Sequence, residues 1–68
     1  MKSLSGKDFA RLLEDRGWRL LRVNGSHHIY GREGSSCRLS IPIHGNQSLK
    51  QGLQKHLMKL AAIDEVEI

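Results

Sequence analysis

A chain of 68 residues buries only about 60% of the surface its unfolded form exposes, so it holds one small core and is expected to be a single domain. Eleven Lys and Arg outnumber seven Asp and Glu, and because Asp64, Glu65 and Glu67 crowd the end, residues 1–63 carry a net +7 that favours polyanionic partners, nucleic acid first among them. The lone Cys37 excludes an internal disulfide and points to a reducing, cytosolic setting; no apolar run nears the ~20 residues of a membrane span, and the opening MKSLSGKDF lacks the apolar stretch of a secretion signal.

Ser5 and Asp8 stand three residues apart in the manner of a capping box, and Phe9, Leu12 and Leu13 supply the apolar stripe behind them. The spacing predicts a helix over roughly Gly6 to Arg16, ended by Gly17 in a left-handed conformation. Three strands follow, in WRLLRV, HHIYG and CRLSIPI, separated by Asn24-Gly25 and by GREGSS. In the third, Cys37, Leu39, Ile41 and Ile43 alternate with Arg38, Ser40, Pro42 and His44, and Pro42 marks an edge strand because it cannot donate to a ladder. Leucines at 49, 53, 57 and 60 then predict a second helix over roughly Lys50 to Ala62, with Gln51, Lys55 and Lys59 as its polar stripe. Each helix must bury one stripe, so the expected fold is α+β, in the order α-β-β-β-α, with both helices on one face of a three-stranded antiparallel sheet. This layout resembles that of double-stranded-RNA-binding domains, and only the acidic tail 64–68 looks like an appendage.

The first hairpin decides where the chemistry sits. Asn-Gly between strands is the strongest short signal for a two-residue type I′ turn. That turn sets Val23 opposite Ser26, Arg22 opposite His27, Leu21 opposite His28 and Leu20 opposite Ile29. With Trp18, Leu20 and Ile29 toward the helices, His27 lies on the inner rim, whereas His28 projects outward with Tyr30. An outward imidazole on a basic sheet can take a proton from one group and give it to another near neutral pH. Such a residue suits RNA cleavage, in which the 2′-hydroxyl attacks the adjacent phosphodiester and nearby cations stabilise the transition state, with no metal required. An exposed histidine that is only surface is the competing reading.

The segments SGKDFARLLEDRGW, GSHHIY and IPIHGN, followed by LKQGLQKHL, resemble the HicA toxins of bacterial type II toxin–antitoxin systems over about residues 3–63. The resemblance implies a double-stranded-RNA-binding-domain fold turned into an endoribonuclease, an mRNA interferase restrained by a HicB antitoxin. It also implies that His28, the last residue of a G-S-x-H motif whose first members are Gly25 and Ser26, is the active-site histidine. Members often carry proline before the glycine that opens the second helix, where this chain has Gln51.

His44, on the alternation of Arg38 and Ser40, is expected to share the His28 face and to supply a second acid or a phosphate contact, unless it only caps the following turn. His56 reads as structural, at the margin of the apolar stripe. The spacing of Cys37 and the histidines matches no zinc pattern, and Cys37 alternates into the core rather than toward a nucleophile's position. Lys50, Lys55 and Lys59, with Arg19, Arg22, Arg32 and Arg38, are candidate phosphate contacts. With Tyr30 as the only outward aromatic, recognition is expected to read backbone and shape with weak sequence preference. The resulting expectation is a metal- and cofactor-free ribonuclease acting on mRNA in the cytoplasm. A HicB-like antitoxin with an acidic patch over His28 would restrain it. A non-catalytic RNA-binding module of the same fold is the alternative, and a catalytically dead relative that keeps only its antitoxin surface is a third.

Overall fold

Ser5 starts the first helix as its spacing predicts: its Oγ accepts the Asp8 N–H at 3.1 Å, and α1 runs Gly6–Asp15. Gly17, at φ +90°, turns the chain out of the helix. The computed structural model describes residues 2–68. After α1 come β1 (Arg19–Asn24), β2 (His27–Gly31) and β3 (Arg38–Pro42), then α2 (Gln51–Ala61) and a short 3₁₀ turn at Glu65–Glu67. The sheet is antiparallel in the order β1-β2-β3, so β3 is an edge strand, as Pro42 requires.

Both helices contribute to one core. Phe9 and Leu13 of α1 and Leu57, Met58 and Ala61 of α2 cluster with Trp18, Tyr30, Leu39 and Ile41. Cys37 and Ile43 pack against this cluster, as the alternation of the third strand predicts. The helical layer covers the β2–β3 side and leaves β1 open, since every residue of β1 is exposed. In α2 the buried face is Gln54, Leu57, Met58 and Ala61, so the stripe is rotated from the one expected; Leu60 is exposed, and so is His56, which has no structural role to fill.

Gln54 is fully buried because it does the work of missing backbone pairing. Its Oε1 accepts the Leu4 N–H at 2.9 Å and its Nε2 donates to the Lys2 carbonyl at 2.6 Å, tying the first residues to α2. Gln54→Leu keeps the volume but strands the Leu4 N–H in the interior. The expected loss is about 1–3 kcal/mol, read as a lower urea midpoint with an unchanged slope.

The acidic end is not an appendage. Asp64 caps the 3₁₀ turn, Glu67 accepts the Asp64 N–H at 2.6 Å and pairs with Arg16, and Ile68 rests against the core. The Asp64 N–H, with Arg16 beside it, holds the Glu67 carboxyl below the usual carboxylate range. The tail therefore clasps the end of α1.

Candidate functional site

The turn sits one residue later than expected and β1 carries a bulge, so pairing shifts by two residues beside the turn and by one beyond the bulge, and that changes the site. Asn24 pairs with His27, Val23 with His28 and Arg22 with Ile29; Leu21 is an extra residue bulged from β1 before Leu20 pairs with Tyr30. The two-residue loop is thus Gly25-Ser26, with Gly25 at φ +63° and Ser26 at negative φ, the pattern of a type II′ turn with glycine first. Asn24 stays in the strand and avoids a left-handed conformation.

Cross-strand partners share a face, and Tyr30 and Leu39, paired to each other, are 3% and 1% exposed. That face is the helix side. His28 alternates with Tyr30 and pairs with fully buried Ile41 on one side and Val23 on the other, so it too points toward the helix layer. The expected outward display of His28 is corrected: its ring is half-buried, with Nδ1 sealed from solvent and without a hydrogen-bond partner. His27 is the outward histidine, exposed and with Nδ1 3.2 Å from Ser40 Oγ. Sequence alternation groups His28 with Tyr30 correctly; the error lies in sending Ile29 inward in place of Tyr30.

Tyr30 is therefore no stacking platform for RNA bases. A tyrosine can be buried when its hydroxyl finds an acceptor, and here it donates to Glu14 Oε2 at 3.2 Å. Burial, then the Glu14 charge and hydrogen bond, raises its pKa above the ordinary 10.0. A raised folded-state pKa means the contribution to stability is complete below the unfolded value and is lost as pH climbs through the folded one. Tyr30→Phe is expected to cost about 0.5–1.5 kcal/mol near pH 7 and to flatten the fall in stability above about pH 10; denaturant titrations at both pH values measure it.

The remaining candidates scatter around the hairpin end and the sheet rim. Ser26 Oγ lies 3.4 Å from His44 Nε2, and the Ile43 N–H donates to the Ser26 carbonyl at 2.8 Å, so Gly25, Ser26 and His44 sit together beyond the ends of β1 and β3. With Pro42, Leu49 and Lys50, His44 also lines a shallow hollow before α2. Lys50 is the N-terminal flank of α2 and Lys55 is exposed along it. Arg38 projects from the outer face, away from His28, with Nη1 donating to the Ser35 and Cys37 carbonyls at 3.3 and 3.2 Å. The structure thus brings His44 to Ser26 but separates Arg38 from His28.

Sequence reasoning misses the exposed apolar residues beside His28, its partner Val23 and, beyond the bulge, the Tyr30 partner Leu20. Val23 and Leu20 lie on its face yet are 53% and 45% exposed, because the helices stop short of β1. The ring stands at the step between covered and open sheet. No pattern of local residues marks that step, which depends on where the helices seat. Gly31 is the other omission, although a glycine inside a strand is a known sign of close approach by another group.

Among the described residues, no helix is long and apolar enough to cross a membrane. A family model described as HicA toxin of bacterial toxin-antitoxin matches residues 6–63. No curated protein matches the chain.

Proposed function

The chain belongs to the HicA family of toxins from bacterial toxin–antitoxin systems, and from that premise we propose that it is an endoribonuclease that cleaves mRNA in the cytoplasm with His28 as acid–base group. Membership makes it the toxin member of a pair and implies an antitoxin partner. The cleavage reading rests on one observation: His28 alone among the histidines is partly enclosed by its surroundings, with Nδ1 sealed from solvent, while its ring keeps partial exposure, whereas His27, His44 and His56 are exposed. A group that moves a proton in a transition state works best when its orientation is fixed beforehand.

Because Nδ1 is enclosed, proton traffic goes through Nε2. Nε2 takes the proton from a ribose 2′-hydroxyl as that oxygen attacks the adjacent phosphorus, and returns a proton to the departing 5′-oxygen, leaving a cyclic phosphate and a new 5′-hydroxyl. The charge building on the phosphoryl oxygens is stabilised by the cationic body. No carboxylate or carbonyl accepts from Nδ1, so the ring lacks the orienting partner that a histidine gains in a triad. The catalyst is accordingly modest.

The antitoxin partner fits the same picture if it is HicB-like and carries an acidic surface over the open shelf beside His28, blocking substrate and neutralising charge together. Incubating the pure protein with RNA in excess chelator tests the reading. Cleavage that persists supports a metal-independent ribonuclease; intact RNA at high protein concentration, with RNA still bound, leaves the non-catalytic binding module as the better description.

A further inference from the structure

The outer face of the sheet carries a row of side chains remote from the His28 ring. Pairing sets Arg19 opposite Gly31 and Gly31 opposite Arg38, so two arginines flank a bare glycine on the face turned from the helices. With strands about 4.8 Å apart, their backbones lie about 10 Å from each other. A Cβ on Gly31 would come within 2.7 Å of Leu21 Cδ1 and 3.2 Å of Arg38 Nη1; the glycine is what lets Arg38 lie across the sheet. Its Nη1 is anchored on the Ser35 and Cys37 carbonyls, which leaves the Nε and Nη2 hydrogens of the fork for a ligand.

Positive charge in this hollow is in excess, three arginines to one acid. Arg32 lines it too, stacked 4.7 Å from the Trp18 ring centroid, and Glu33 is the only acid there. None of the three arginines has a carboxylate partner, since the ion pair among the described residues is Arg16 with Glu67. The anchored Arg38 guanidinium shares the hollow with Arg19, around a glycine covered only by Leu21 and by Arg38 itself, and two guanidiniums in one hollow suit a phosphodiester.

We propose that Arg19 and Arg38 hold a phosphate of single-stranded RNA a few nucleotides from the one being cut, the strand crossing the β1 edge between this face and His28. The inference rests on the RNA-substrate reading above. His28 is three residues from Gly31 along β2, about 10 Å, but on the opposite face. The route round is open because β1 is the outermost strand and exposed throughout. A molecule 18 Å through its thinnest dimension can be wrapped by a flexible single strand, whereas a duplex, stiff over about 150 base pairs, cannot follow that turn. A protein partner would need a desolvated apolar centre, and the outer face offers only Leu21 with half-buried Ile29 and Pro42, set among Arg19, Arg22, His27, Arg38 and Ser40.

The test measures binding and turnover separately. Labelled single-stranded RNA of about 12 nucleotides, within the range one small domain tracks, is titrated against His28→Ala protein with and without Arg19→Ala/Arg38→Ala. The double substitution is expected to weaken binding at least about tenfold and to lower the slope of log affinity against log salt by about 1.4, two contacts at ~0.7 each. On the His28 background it raises KM in step and leaves kcat nearly unmoved. Arg19→Lys/Arg38→Lys keeps the salt slope and recovers part of the affinity. RNA cut normally but bound equally well by the double variant overturns the crossing alone, as does a fall in kcat with KM unmoved. A double variant that keeps its RNA and loses the antitoxin reassigns the row to a protein and also overturns it. A parent protein that neither binds nor cuts RNA overturns the substrate reading together with it.

Discussion

His28→Ala is expected to lower the rate of RNA cleavage by about 10²- to 10⁴-fold, the range one positioned acid–base group supplies, whereas His27→Ala leaves cleavage in place. The two rings are adjacent in sequence and project to opposite faces of β2. The pair therefore separates a positional claim from a general need for imidazole or charge. Single-turnover cleavage with excess protein measures the chemical step, and far-UV circular dichroism with thermal melting shows whether each variant folds. Removing a half-buried ring forfeits contacts with Val23 and Ile41 but also removes an unpaired buried nitrogen, so the stability change should be under about 2 kcal/mol. Should His27→Ala abolish cleavage while His28→Ala retains it, the catalytic site belongs to the outer face and the assignment is wrong.

The largest expected effect on stability comes from Gly6→Ala. Helical propensity alone favours alanine by up to about 1 kcal/mol. Packing decides otherwise: a Cβ at position 6 overlaps the Pro42 carbonyl oxygen and comes 3.1 Å from Ile43 Cγ1. The obstacle is backbone, which cannot rotate away, so α1 must lift from the end of β3. Overpacking of this kind costs about 1–3 kcal/mol, and the upper end applies here. For a domain of this size each kcal/mol shifts the melting temperature by about 4–8 °C, so a loss of roughly 10–20 °C is expected by calorimetry. An unchanged melting temperature would mean that α1 does not seat on Pro42 as described.

The elements were legible because their signals are local. Ser5 with Asp8 starts a helix, Gly17 ends it, Pro42 marks an edge, and the alternation of Leu39 and Ile41 places the third strand on the core. Each depends on residues within one turn or one strand. The site was not legible in the same way. Asn24-Gly25 and Gly25-Ser26 both offer a two-residue loop, but moving between them shifts pairing by two residues and keeps every face; a bulge at Leu21 brings the shift beyond it to one residue, so the choice that exchanges the faces of His27 and His28 is whether β1 bulges. The choice depends on whether Tyr30 or Ile29 enters the core. Glu14, on α1, settles it by accepting the Tyr30 hydroxyl across the sheet, a contact that sixteen residues of sequence separate. The Leu21 bulge is hidden for the same reason, since it reconciles a turn fixed at one end of the strand with Trp18 and Leu20 fixed at the other.

That bulge also bears on how the protein behaves in a crowd. A free outer strand displaying Leu20, Leu21 and Val23 is the kind of template on which identical chains stack into ribbons and then fibrils. At Leu21 the ladder loses its frame and twists, and Arg19 and Arg22 on either side repel an approaching copy. Regularising the strand by deleting Leu21 would give it a longer even edge while keeping each remaining residue on its face, so the shortened chain should precipitate at concentrations the parent tolerates.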